Sequence, residues 1–360
     1  PDPEHLTEFY LCMSLGGVVG GSFNAFLAPV IFRTVIEYPL ILALSCLARP
    51  WGKGKLTYWQ MSVIAVGVLA ALAAAIAVKQ LGPTLSVKLA LATTTVAVFL
   101  VRDRALFMLA LMVTLLFTAN AVGDRADVIQ TDRSFFGVLR QTRTEISGLG
   151  GEVRMLAHGT TLHGAQARDP RYRCRPLVYY APETPIGQVF TSWQAMSPAL
   201  RIGAVGLGTG SVAAYVRPRD HLTFFEIDPL VVRIAHTSGD FDYTTKCAKG
   251  PVDFVLGDAR LTLEKQPAEA FDILLIDAFS SDSVPAHLLT VEAVKGYLTR
   301  LKPNGVLILH LSNRNLELRA PAMAVAQAAG GYALLQRHNK DWDSPSMWES
   351  SEDALIIARS

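Results

Sequence analysis

Charge is what this sequence has least of. Only 18% of its 360 residues are Asp, Glu, Lys or Arg, against about a quarter in an ordinary soluble protein. The deficit is uneven: residues before about Val122 are dominated by Leu, Ala, Val and Ile, and those after about Asp124 have the composition of a soluble domain. No long basic run is present and the formal net charge is +2, so nothing points to nucleic acid as a partner. Cysteine is scarce as well. Cys12 and Cys46 fall in apolar stretches, Cys174 and Cys247 in the polar part, and no CxxC spacing occurs. They read as reduced thiols, neither a disulfide frame nor a zinc site, and no metal is expected. Leu6 to Phe32 shows no signal-peptide pattern with a cleavage site, and the first residue is proline. The chain therefore reads as a processed or partial form, with room for further spans ahead of it.

What is abundant is hydrophobic sequence, 51% of the chain, with a mean hydropathy of +0.30. Leu6 to Phe32 is long enough to cross a bilayer, which takes about 20 residues. Its Gly16-Gly17 and Gly20-Gly21 pairs suit close approach by another helix, a kink or a ligand-lined gap. Val35 to Leu47 is shorter and holds Glu37 and Pro39, with Glu37 placed at an interface. Trp59 to Val78, Leu85 to Val101 and Ala105 to Val122 bring the expected total to about four or five spans, a transmembrane helical region over 1–124. Arg49, Lys53 and Lys55 favour a cytoplasmic connection, which by parity puts the following domain outside if every later run spans. A nucleoside cofactor made in the cytoplasm argues the reverse, and the cytoplasmic side is the expectation taken here.

From Thr131 the pattern becomes β-like. RSFFGVLRQTRTE and EVRMLAHGTTLHGAQ, separated by Gly148 to Gly151, predict two strands of a hairpin in a small domain over 125–180. His158, His163 and Gln166 gather at its far end, as pocket groups or as hydrogen-bonded structural residues. After the Pro- and Arg-rich connection Asp169 to Pro176, Thr184 and Pro185 suit a helix cap and first turn.

Residues 181–360 alternate strands with helices, which predicts an α/β, mainly parallel sheet whose ligands sit at the carboxyl ends of the strands. Every informative motif falls at such an end. A glycine turn (Gly206, Gly208, Thr209, Gly210) follows the first strand, Glu226-Ile227-Asp228 the second, Asp258-Ala259 the third and Asp277 the fourth. Glycines admit close backbone approach, a strand-end carboxylate suits paired ribose hydroxyls, and another can accept from an adenine amino group. YALLQRH and DALIIAR close the domain as antiparallel neighbours.

GLGTGS, FFEIDP, LGDAR and above all LLIDAFSSDSVPAHLLTVEA resemble the spermidine synthase or polyamine aminopropyltransferase family, specifically its bacterial membrane-fused members. The resemblance runs from about Ser134 onward. It implies a class I methyltransferase-like (Rossmann-like) sheet and decarboxylated S-adenosylmethionine as co-substrate, without a metal. It places Gly206, Gly208, Thr209, Gly210, Glu226, Ile227, Asp258 and Ala259 on the nucleoside, with Glu226 at ribose and Asp258-Ala259 at adenine. Asp277 would be the catalytic acid/base. Gln166, Tyr179, Tyr180 and Asp282 would contact the polyamine, with Trp193 adding to the wall and Ser280 to Pro285 forming a gate. The membrane and the small-molecule polyamine are the implied partners, a homodimer is one arrangement, and the bacterial inner membrane is the implied location. Two departures stand out. The family's glycine turn carries an aspartate where this chain has Thr209, and Asp282 lies five residues after Asp277, outside the DSxDP-type spacing. Thr209 opens the alternatives of intact S-adenosylmethionine with methyl transfer or cleavage. A non-catalytic membrane sensor or transporter is the remaining reading.

Overall fold

The computed structural model describes residues 3–48, 51, 55–81, 84–123, 127–278, 285–313 and 315–359. The chain divides into two units, Pro1–Ala126 and Asp127–Ser360.

The first unit is helical. Leu6–Ser22 (α1) runs through a π-helical turn, Phe23–Leu27, into Ala28–Ile31 (α2), and is followed by Glu37–Ser45 (α3), Tyr58–Leu81 (α4), Leu85–Leu100 (α5) and Ala105–Gly123 (α6). Two stretches among the described residues, Pro3–Ile31 and Tyr58–Val78, are long and apolar enough to cross a membrane; Glu37–Ala48, Leu85–Leu100 and Ala105–Ala119 are shorter apolar helices. α4 and α5 cross closely because Gly67 faces Ala97, and the Thr94 hydroxyl donates to the Gly67 carbonyl at 3.1 Å. The glycine pairs of α1 meet no other described residue within 4 Å. Large apolar side chains such as Leu11, Val18, Val30, Phe99 and Phe117 point outward with most of their surface uncovered.

The second unit opens with a four-stranded antiparallel sheet in sequential order: Asp127–Ser134 (β1), Gly137–Ile146 (β2), Gly151–His158 (β3) and Thr161–Ala167 (β4). The expected two strands are thus four. Tight turns at Phe135-Phe136 and Gly159-Thr160 fold each in half, and Gly137 with φ +138 admits the first reversal.

Pro185–Met196 (α7) leads into Arg201–Val205 (β5). Thr184 precedes α7 as expected and Pro185 occupies its first turn, yet the Thr184 hydroxyl donates to the carbonyls of Tyr179 and Ala181, each at 2.8 Å, instead of capping. Then come His221–Glu226 (β6), Pro229–Val232 (α8), Val252–Leu256 (β7), Ala259–Glu264 (α9), Phe271–Ile276 (β8), Val291–Arg300 (α10), Leu301–His310 (β9), Arg319–Ala328 (α11), Gly331–His338 (β10) and Glu352–Arg359 (β11). The seven-stranded sheet has the order β10-β11-β9-β8-β5-β6-β7. Neighbours from β7 to β9 are parallel, and β11 is antiparallel to both β9 and β10. This is the class I methyltransferase-like arrangement.

Its parallel strands are apolar on both sides because both faces are covered. Ala204, Ile273, Leu275, Val306 and Ile308 join α7 in one core, and their strand neighbours Val205, Leu274, Ile276, Leu307 and Leu309 join α9, α10 and α11 in the other. Each of these valine, leucine and isoleucine side chains contributes about 1.5–3 kcal/mol of burial free energy. After the glycine turn the chain forms only a five-residue 3-10 turn, Ser211–Tyr215, in place of the expected helix, with Pro218 close behind.

The expectation of four reduced cysteines is corrected. Cys174 and Cys247, separated by 73 residues, form a disulfide, while Cys12 and Cys46 are free. Nothing local in the sequence marks this pairing; the fold brings the segment after β4 against the segment before β7. Around the bond, buried Asp242 meets Lys246 at 2.9 Å, Arg168 at 3.5 Å and Arg173 at 3.6 Å.

Candidate active site

The carboxyl ends of β5, β6, β7 and β8 open onto one cleft of about 250 Å³. Its floor is the glycine turn. Gly206 has φ +88, and a Cβ there would lie 2.9 Å from the Asp277 carbonyl carbon and closer still to the oxygen. Gly208 has φ +53, and its missing Cβ would overlap the His163 carbonyl. The turn is therefore wedged between the segment after β8 and strand β4, and only glycine fits both places.

Glu226 ends β6 beneath this floor. Its Oε2 accepts from the Leu207 N–H and its Oε1 from the Asp228 N–H, each at 2.9 Å. Burial pushes its pKa up against those two hydrogen bonds, and the net shift is upward. Each oxygen retains a lone pair for a further donor, which is the capacity that two adjacent hydroxyls require. Asp228 caps α8 through the Leu230 N–H at 2.9 Å and accepts from the Ser134 hydroxyl at 2.5 Å, tying the end of β1 to the cleft. Asp258 caps α9: its Oδ1 accepts from the N–H groups of Arg260, at 2.9 Å, and Leu261, at 3.3 Å, while Oδ2 lies 3.1 Å from His287 Nε2. Ile227, Ala259, Ala278, Pro285 and Leu288 add apolar lining.

Asp277 follows β8 directly and is 9% exposed, with its N–H donating to Val205 at 2.9 Å. The Tyr180 hydroxyl donates to its Oδ2. Behind that pair, Tyr179 packs on Tyr180 at a ring separation of 4.4 Å and stacks on His310 at 4.6 Å. His310 Nδ1 lies 3.3 Å from Glu352 on the buried strand β11. Burial alone would lower the His310 pKa, but the carboxylates of Asp277 and Glu352 outweigh it and the net shift is upward. Burial, then the charge of Asp277, drives both tyrosines far up, so their hydroxyls remain protonated. A buried proton-bearing wall thus holds Asp277 in place while its cleft-facing side stays available.

The structure brings Gly206, Gly208, Glu226, Ile227, Asp258, Ala259 and Asp277 together on the cleft. It does not bring the others. Thr209 is fully buried, shares a hydrogen bond of 2.8 Å with Ser211 and packs against Gly164; Gly210 lies behind it against Thr244. Gln166 is fully buried, donating to Arg173 O at 2.9 Å and accepting from the Asp242 N–H at 2.8 Å, so it braces the disulfide-linked segment and does not line the cleft. Tyr179 and Tyr180 act on Asp277 from behind and do not line the cleft, and Trp193 packs on the core. Asp282, with the gate residues 280–284, lies outside the described residues; Pro285 is on the cleft wall. His310 and Glu352 were not singled out from sequence. A lone histidine closing the apolar run of β9 had the same strand-end signature as Asp277.

No protein-family model matches the chain. Over 115 residues it is 33% identical to a polyamine aminopropyltransferase of Vibrio vulnificus, covering 30% of this chain and 36% of that protein. It is 30% identical over 115 residues to an uncharacterized protein of Methanocaldococcus jannaschii, covering 32% of this chain and 38% of that one. The chain spans little more than a third of the length of these curated relatives. Among solved structures it is similar to a probable spermidine synthase from Corynebacterium glutamicum, with a TM-score of 0.48 and 16% identity over 65% of this chain and 80% of that one. Spermidine synthase from Thermotoga maritima gives a TM-score of 0.45 and 15% identity over 65% and 73%.

Proposed function

We propose that this spermidine synthase-like chain moves an aminopropyl group from decarboxylated S-adenosylmethionine to a polyamine acceptor, putrescine or a similar amine, and releases methylthioadenosine. The charge of the cleft carries the reading. Glu226, Asp228, Asp258 and Asp277 line it, and no lysine or arginine does so among the described residues. A sulfonium nucleoside with an ammonium tail and an alkyldiamine are both cations, which such a wall attracts. The short turn after Gly210 also leaves out the long helix whose positive end would favour an anion.

In this reading Glu226 takes the two ribose hydroxyls and Asp258 with Ala259 receives the adenine. The acceptor arrives as an ammonium with a pKa near 10. Asp277 draws it in, accepts one proton directly or through water, and leaves a nitrogen lone pair aimed at the carbon beside the sulfonium. The C–N bond forms as the C–S bond breaks, its electron pair goes to sulfur, and a neutral thioether leaves. Tyr180 holds the carboxylate on line from its buried side.

Thr209 favours a second reading, methyl transfer from intact S-adenosylmethionine, because a turn without an aspartate does not repel the carboxylate that this donor retains. Mass spectrometry of the full chain incubated with either donor and a panel of diamines separates the two. Methylthioadenosine plus an aminopropylated amine supports the first, and adenosylhomocysteine supports the second. A chain that binds donor and yields neither product is a sensor. Asp277→Asn abolishes transfer with donor affinity within about tenfold, and full activity in that variant refutes the assignment.

We further place the apolar helices in a membrane, with the catalytic unit on its oxidising side. Disulfides persist where thiols are not kept reduced, and the charge count at Arg49, Lys53 and Lys55 gives the same side if an odd number of the later helices span. This reading replaces the cytoplasmic expectation and requires that the donor nucleoside reach that side. After mild reduction of intact cells, an impermeant maleimide labels exposed Cys174; protection until lysis overturns the orientation.

A further inference from the structure

The cleft holds one polar group whose role nothing above supplies. His163 lies on β4 with its carbonyl against Gly208, as the Asp277 carbonyl lies against Gly206, so the two residues flank the glycine turn from opposite edges. Both line the cleft. The other polar side chains there are spoken for. Glu226, Asp228 and Asp258 each accept from backbone N–H groups, and His287 is bonded to Asp258. His158 bonds the Phe136 backbone and fills the space that Gly137 leaves. His163 Nε2, by contrast, is a buried nitrogen with no hydrogen-bond partner among the described residues. Leaving such an atom unpaired is costly, and in a cleft wall a ligand is the natural partner.

We propose that His163 Nε2 accepts a hydrogen bond from the terminal ammonium of the donor's aminoalkyl chain, holding that end of the chain across the glycine turn from Asp277. The assignment rests on the aminopropyl-transfer reading and adds a residue to it. It also answers the departure at Thr209: the turn has no carboxylate for the tail amine, and the adjacent strand supplies a neutral acceptor instead. Burial holds the His163 imidazole near a pKa of about 4, far below that of an alkylammonium, so the proton stays on the amine. A tail amine that keeps its proton is no nucleophile. Attack is then left to the acceptor amine, whose proton Asp277 removes.

The test is calorimetric titration of the full chain with two nucleosides, methylthioadenosine, which has no tail amine, and decarboxylated S-adenosylmethionine, which has one. His163→Phe keeps a ring and removes the acceptor, His163→Leu repeats this with a smaller side chain, and His163→Gln retains an acceptor. The expected result is a loss of roughly 10- to 100-fold for the amine-bearing nucleoside in Phe or Leu. Methylthioadenosine stays within about twofold, and Gln recovers most of the loss. If the parent binds both nucleosides and both apolar variants keep the parental ratio of affinities, the assignment to His163 is overturned alone. If the parent binds neither nucleoside, the functional reading beneath it falls as well.

Discussion

Gly206→Ala offers the sharpest check on how the site is built. Its backbone has φ +88, and the added methyl would sit 2.9 Å from the Asp277 carbonyl carbon and nearer to its oxygen, where real Cβ contacts begin at 3.0–3.4 Å. The left-handed backbone costs roughly 1–2 kcal/mol for a non-glycine residue. Relief of the overlap then requires the turn and the start of the Asp277 segment to part by about 1 Å, and a displacement of that order costs on the order of 10²-fold in rate. Gly239→Ala isolates the first of these effects: φ is +77, the residue is exposed, and no described residue lies within 4 Å of the added methyl. Both variants should lose a few degrees in melting temperature, and only Gly206→Ala should lose turnover, read as methylthioadenosine released per unit time. Equal turnover in the two would refute the claim that the turn is wedged against Asp277.

Glu226→Gln should weaken methylthioadenosine binding by about 10²-fold or more. The new amide N–H₂ must confront either the Leu207 or the Asp228 N–H, each of which now donates to the carboxylate at 2.9 Å; an unchanged dissociation constant by calorimetry contradicts the ribose assignment. Reducing Cys174–Cys247, which closes a separation of 73 residues, should remove about 2–4 kcal/mol of stability, visible as a lower melting temperature with reductant and absent in a Cys174→Ser variant. For His163 the folded pKa is about 4, below the ordinary value of 6.5. Between those values the unfolded chain binds the extra proton, so acidification from pH 6.5 to 4 destabilises the fold. Raised carboxyl pKa values at Glu226 and Glu352 act the opposite way as pH falls. The difference between the parent and His163→Gln isolates the histidine, at most about 3 kcal/mol by pH 4, and parallel pH–stability curves would contradict its burial as a neutral base.

Much of the site was legible because parallel strands place their ends together. Four separate motifs, at Gly206, Glu226, Asp258 and Asp277, needed only the alternation of apolar strands and helices to be assigned to one edge. Side-chain direction was not legible in the same way. Thr209 stands in the turn by sequence, but the bend aims its hydroxyl at Ser211 and away from the cleft. Tyr180 follows Val178, whose φ of +53 turns the chain so that the Tyr180 hydroxyl meets Asp277 from behind. Nonlocal partners were hidden as well: nothing near Cys174 points to Cys247, and nothing near His310 points to Glu352. In the hairpin region only the number of strands was hidden, for a simpler reason. Strand propensity runs on through Phe135-Phe136, and the reversal is marked only by Gly137.

The position of β11 bears on when the wall behind Asp277 is complete. Residues 352–359 are translated after 331–338, yet they insert between β10 and β9, and they carry the glutamate that meets His310 behind Tyr179. Until that strand has left the ribosome, β9 has no partner on its outer side and the support behind Tyr179 and Asp277 is incomplete. A nascent chain can already possess the glycine turn, Glu226 and Asp258, everything proposed to hold a nucleoside. On the transfer chemistry proposed above, ligand capture and chemical competence would be completed at different points of synthesis.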